Sequence, residues 1–193
     1  MRTHAMRLMK QMPPGELLSY LYPRILPLHS LTVEQGFPDL QTGLLLVPPQ
    51  IRASFARIEE GGTYLVDNGQ VCLLWLHNNV SPNLLQDLFG ENITSLADLN
   101  PFNPTIVLVL DMHLNAQMRN LMQWLEEKRG SRGLMPGLTR QGIDGTEFEF
   151  ASLLVEDWNN EAQSYVDWLV KVHRFVQLEV CVGPFSPLGK RLI

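Results

Sequence analysis

The fold turns on one stretch, Thr63-Tyr64-Leu65-Val66-Asp67-Asn68-Gly69-Gln70-Val71-Cys72-Leu73-Leu74-Trp75-Leu76. Both flanks are built from β-branched, aromatic and large aliphatic side chains, which suit a pleated surface. Between them Asn68-Gly69 supplies the positive φ angles of a tight type I′ turn, so the stretch predicts a β-hairpin. The second flank, Val71 to Leu76, is apolar without alternation. A strand with no solvent face predicts a central position in a sheet covered by helices on both sides.

Downstream, Ser81 and Pro82 predict the start of a short helix, with a capping hydroxyl followed by proline at the first helical position. Leu84, Leu85 and Leu88 form its inward side, and Gly90 stands just past its end. Ile106 to Asp111 reads as a further buried strand, although Pro101 and Pro104 suit an extended connection equally well. A longer helix is predicted from Asn115, because Met118, Leu121, Met122 and Leu125 recur at helical spacing and Gly130 follows where a left-handed cap belongs. Gly130 to Gly145 is a glycine-rich loop with one strand around Leu138 to Gln141. Thr146 to Trp158 reads as a short helix running into an acidic turn. Ser164, with Asp167 three residues on, is a capping pattern, and Tyr165, Trp168, Leu169, Val172 and Val176 make an apolar stripe that predicts a core helix.

Upstream, Leu17 to Leu31 contains Pro23 and Pro27 and predicts an edge strand or extended segment in place of a helix. Gln35 to Gln50 is punctuated by glycine and proline around at most one short strand, and Ile51 to Glu60 is a strand or a helical turn. The first ten residues carry Arg2, Arg7 and Lys10 beside Met6, Leu8 and Met9, and read as a helix belonging to preceding structure more readily than as a transit peptide.

Composition bounds the function. The chain has 193 residues, net charge −5, 45% hydrophobic and 18% charged side chains, the profile of one globular unit. An acidic balance argues against a general nucleic-acid surface. Every apolar run is shorter than the roughly 20 residues of a membrane crossing. Cys72 and Cys181 are too few for a disulfide framework and match no metal spacing, which predicts free thiols in a reducing compartment. No nucleophile elbow, phosphate loop or dinucleotide fingerprint occurs, so no catalytic residue is assigned. Asp111 and His113, two residues apart, suit a hydrogen-bonded loop histidine better than a metal or hydrolytic pair. Trp75 and Trp168 fall within apolar patterns and are expected inside. The acidic turn Glu156 and Asp157, lacking a calcium-loop pattern, and the basic knot Lys128, Arg129 and Arg132 are the candidate partner surface. Arg24 pairing internally with Glu156 or Asp157 would remove that acidic pair from any interface.

Several blocks in order resemble one family. They are Tyr22-Pro23-Arg24 with Pro27-Leu28-His29, Tyr64 to Gly69, Leu74-Trp75-Leu76, Ser81-Pro82, Asp87-Leu88-Phe89-Gly90, Leu154-Val155-Glu156-Asp157, and Ser164 to Trp168 with His173. Together they look like the C-terminal portion of the cargo-adaptor subunit of the COPII inner coat, the Sec-twenty-four family. The resemblance implies an α+β, gelsolin-like domain over residues 20–180, a mixed sheet with a long helix on one face and shorter helices on the other. Residues 1–19 would be the remnant of a preceding helical domain and 181–193 a C-terminal tail. It also implies a structural and protein-interaction role in transport from endoplasmic reticulum to Golgi. The implied partners are other COPII coat subunits, chiefly the GTPase-activating inner-coat subunit, with cargo or SNARE proteins as further candidates. The implied location is cytoplasmic, peripheral on endoplasmic reticulum exit sites and vesicles. No cofactor is expected in this chain, zinc belonging to upstream domains of the family. The alternative is a calcium-regulated actin-binding gelsolin relative. Against it, Gly62-Thr63 places a hydroxyl where calcium-binding repeats carry a Gly-Asp carboxylate.

Overall fold

The computed structural model describes residues 10–100, 109–130, 133–157 and 165–182. Its first named helix, α1 (Pro14–Leu21), opens with proline where the missing N–H has no intrahelical partner to lose. The extended reading of Leu17 onward therefore holds only from Tyr22. Pro23 breaks the helix and β1 (Arg24–Pro27) follows. Then come β2 (Thr63–Asp67), β3 (Cys72–Leu76), α2 (Pro82–Phe89), α3 (His113–Lys128), β4 (Gly137–Arg140), α4 (Glu147–Leu153) and α5 (Tyr165–Val182).

The sheet is mixed, in the order β1-β2-β3-β4. β1 and β3 flank β2 antiparallel, and β4 joins β3 in parallel. The hairpin forms as the sequence predicts, with Tyr64 opposite Trp75 and Asp67 opposite Cys72. Its connection spans Asn68 to Val71, however, and is wider than a two-residue turn. Two side chains explain the widening: Asp67 Oδ1 accepts from the Gly69 N–H at 3.0 Å, and Asn68 Oδ1 accepts from the N–H groups of Gln70 and Val71. These bonds stabilise an Asx-type loop in place of the tighter turn, while Gly69 keeps its positive φ of 82°.

Strand side chains alternate between two layers. Leu65, Cys72, Leu74, Leu76 and Leu138 pack beneath α2 and α3, meeting Leu85, Leu88, Phe89, Met118, Leu121 and Leu125. Tyr64, Val66, Leu73 and Trp75 point the other way, onto Phe150, Leu153 and Leu154. There the Trp75 and Phe150 rings stack with centroids 4.6 Å apart. The short helix α2 thus shares the long helix's face, and α4 closes the opposite one. Ser81 caps α2 by accepting from the Leu84 N–H, and Gly90 ends it at a φ of 106°. Buried Asn115 ties α3 to it, donating from Nδ2 to the Leu88 carbonyl at 2.8 Å.

The last helix forms where the stripe predicts it, but α5 is not core: Trp168 is 52% and Val176 54% exposed, and Leu169 and Val172 also face outward. Helical spacing specifies an apolar side without specifying what covers it. Both sheet faces are already sealed by α2, α3 and α4, so neither offers α5 an apolar seat. Its proposed cap Ser164 and Trp158 lie outside the described residues, as do residues 1–9, the tail 183–193 and the first half of the Ile106 to Asp111 run; Val109 to Met112 are not in a strand.

Candidate interaction surfaces

The acidic turn lies where the chain enters and leaves the sheet domain. α1 delivers Tyr22, the segment after β1 delivers Arg52 to Phe55, and the end of α4 delivers Glu156 and Asp157. Arg52 grips Glu156 in a fork, Nη2 to Oε2 at 2.7 Å and Nε to Oε1 at 3.1 Å. Tyr22 donates its hydroxyl proton to Glu156 and accepts from the Ala53 N–H. Asp157 accepts from the Ser54 hydroxyl at 2.7 Å and from the Phe55 N–H. Burial alone would raise the Glu156 carboxyl, but the hydrogen bonds from Arg52 and Tyr22 outweigh it and hold the group below the usual carboxylate range. Burial and the neighbouring Glu156 push the Tyr22 phenol upward.

These carboxylates, expected as partner surface, are thus committed to contacts inside the domain, and the Glu156 side chain is only 9% exposed. The internal cation is Arg52 and not Arg24, which instead lies 3.8 Å from Asp67. Asp67 is fully buried, and a buried carboxylate needs a cation beside it. Arg129 supplies one, with Nη1 3.0 Å from Oδ1 and its own side chain 5% exposed. That contact withdraws Arg129 from the basic knot. Lys128 remains exposed, with Nζ 5.6 Å from the centroid of the Trp124 ring, and Arg132 lies outside the described residues. Burial first and Asp67 second push the adjacent Cys72 thiol up to about 12, so this cysteine is a packing group and not a nucleophile.

Sequence reasoning passed over Arg140. It forks onto Asp144, Nη2 to Oδ1 at 2.6 Å and Nε to Oδ2 at 2.9 Å, and donates from Nη1 to the carbonyls of Leu96 and Leu99. Asp144 Oδ2 also accepts the Arg140 N–H, which points away from β3. Among the described residues β4 is an edge strand, and this bond occupies the Arg140 N–H on its outer side. Only the four-residue spacing of Arg140 and Asp144 hinted at this.

A third cluster fastens the loop before β2 to α3. Gln117 Nε2 donates to the carbonyls of Thr32 and Gln35, both at 2.7 Å, and Asn120 Nδ2 donates to the Gly36 carbonyl. His113 Nε2 lies 2.9 Å from the Val33 carbonyl and its ring lies against Phe37. His113 is therefore a loop fastener, and Asp111 stands exposed beside the start of α3. Leu40 and Leu44 project outward from the held loop. Among the described residues no group of His, Cys, Asp and Glu is placed to hold a metal, and no helix is long and apolar enough to cross a membrane.

A mixed four-stranded sheet between a long helix and a short one defines a gelsolin-like domain, and the family model for the gelsolin repeat matches residues 45–113. More narrowly, the chain is a gelsolin-like domain of the Sec24 kind. It is 32% identical over 176 residues, 88% of its length, to the protein transport protein sec24 of Aspergillus niger. It is 34% identical over 128 residues to that of Yarrowia lipolytica. The crystal structure of the human COPII-coat protein Sec24c superposes with a TM-score of 0.68 at 32% identity, covering 84% of this chain and 20% of that one. The chain spans about a fifth of the length of such relatives, 19% for the Aspergillus niger protein.

Proposed function

We propose that this domain is a structural and protein-contact module of a COPII coat cargo adaptor, serving transport from endoplasmic reticulum to Golgi and making no covalent bonds itself. The observation that carries the reading is the similarity to protein transport protein sec24 across 88% of the chain. The chemistry is consistent with it, since the ionisable clusters at Asp67, Arg140 and Glu156 serve as internal ties. Its partners are the other coat subunits, chiefly the GTPase-activating inner-coat subunit, with cargo or SNARE proteins beyond them. Its place is the cytoplasmic side of exit sites, held peripherally. Tagging the protein in its own cells, cross-linking and quantifying what co-purifies tests this. Enrichment of coat subunits together with punctate exit-site fluorescence is the expected result. Calcium-dependent enrichment of actin in place of coat subunits would overturn it in favour of a gelsolin-type role.

A further inference from the structure

We propose that one water molecule is bound in the joint where α1, β1, the hairpin loop and the end of α3 meet, hydrogen-bonded to Asp67 Oδ2 and to the Arg24 guanidinium. A cavity there gives the centre of a water molecule about 10 Å³ to occupy. Its walls include Ser19 of α1, Arg24 of β1, Gly69 and Gln70 of the loop, and Arg129 just past α3. That volume is close to the roughly 10–15 Å³ in which one water fits, and far below the roughly 300–1,000 Å³ of sites that enclose an organic ligand. Size therefore restricts the occupant to water or a single small ion.

Asp67 decides between them. Both arginines of the cavity wall reach it, one toward each carboxylate oxygen. Oδ1 accepts from the Gly69 N–H and lies 3.0 Å from Arg129 Nη1. The side chain is 0% exposed, yet among the described residues no group donates a hydrogen bond to Oδ2. A buried carboxylate oxygen left without a donor is costly. Arg24 Nη1 stands 3.8 Å from it, beyond hydrogen-bond reach and at a spacing that a bridging water spans. Water can donate to Oδ2 while it accepts from the guanidinium, which turns one long ion pair into two hydrogen bonds. The Ser19 hydroxyl, itself donating to the Gly15 carbonyl, offers an accepting lone pair for the second proton of the water. Neither kind of ion meets both needs. A metal cation would be repelled by Arg24, Arg129 and Lys128, which also lines the cavity, and an anion by Asp67 and by Glu16 on the α1 side. Charges so nearly balanced suit a neutral occupant.

The test uses the whole chain and reads long-lived water by water–amide cross-relaxation in NMR and by deuteron relaxation dispersion. Cross-peaks of the sign that marks water held far longer than surface hydration are expected at the Gly69 and Gln70 amides and at Arg24 Nε–H. Arg24→Met is expected to remove the amide cross-peaks and to reduce the dispersion amplitude by one water, whereas Arg24→Lys, which keeps a cationic donor, retains both. Ser19→Val fills the cavity with methyl groups, so it should also remove the cross-peaks and lower the unfolding midpoint, because Oδ2 is then left without a donor. If Arg24→Met does not fold, the spectra of the unaltered chain and of Ser19→Val still decide. No long-lived water at these amides, cross-peaks that survive Arg24→Met undiminished, or a Ser19→Val chain more stable than the original would overturn the proposal. Cross-peaks that fade as sodium or chloride is raised would assign the cavity to an ion and overturn it equally.

Discussion

Arg140 brings a full positive charge to a site where its side chain is 10% exposed, and meets it with both oxygens of Asp144 and with the carbonyls of Leu96 and Leu99. Removing the guanidinium leaves a carboxylate and two carbonyls without their donor, a loss larger than the net worth of the bonds themselves. Arg140→Met is expected to lower the unfolding free energy by about 2–4 kcal/mol, read as a drop in the urea midpoint at unchanged slope. Arg140→Lys should recover only part of it, since an ammonium cannot fork onto one group while reaching two others. An unchanged midpoint in the methionine variant would show that Leu96 and Leu99 need no such tether. None of this was legible in the sequence beyond the spacing to Asp144, because main-chain carbonyls brought from residues forty positions away leave no mark on side-chain identity. Asp67 poses the same difficulty: read as the end of a strand, it proved to be a buried charge that takes Arg129 out of the expected surface.

Between elements, the seat of the loop on α3 depends on Gly36, which sits at a φ of 78° with an added Cβ only 2.9 Å from the Gln117 Cα. Side chains rarely adopt that backbone, and the obstruction is helix backbone that cannot swing aside. Gly36→Ala should therefore destabilise the protein by about 2 kcal/mol or more. Faster hydrogen exchange in the loop, with the sheet amides still protected, would locate the damage in this seam; uniform acceleration would refute that placement. The hairpin, the capped α2, the long α3, β4 and the acidic turn were all readable, since each carries its own signal in turn residues, caps or periodicity. What periodicity left open was the third dimension. It marked an apolar side on α5 but could not reveal that both sheet faces were already occupied, and it could not foresee that polar Gln117 and Asn120 would carry the loop, because side-chain amides have no periodic signature.

For the molecule as a whole, acid response follows from carboxylates held below their ordinary values. The hydrogen bond from Arg140 lowers Asp144, and those from Arg52 and Tyr22 hold Glu156 down against its burial. Groups lowered on folding contribute fully above their unfolded values, near 3.8 and 4.5, and lose that contribution as pH falls through the folded ones. Unfolding free energy measured against pH should then hold level near neutrality and decline below about 4.5. Glu156→Gln should lower the level portion and flatten the decline; an acid limb of unaltered steepness would remove Glu156 from this account. The same residue has a mechanical meaning. Tyr22 and Asp157 mark where the backbone arrives and departs, and the Arg52 fork with the Tyr22 hydroxyl rivets the two together. A pull along the chain meets this rivet before it reaches the strand ladders, so tension runs past the sheet along its margin and the pairing of β2 with β3 bears little load until the rivet gives way.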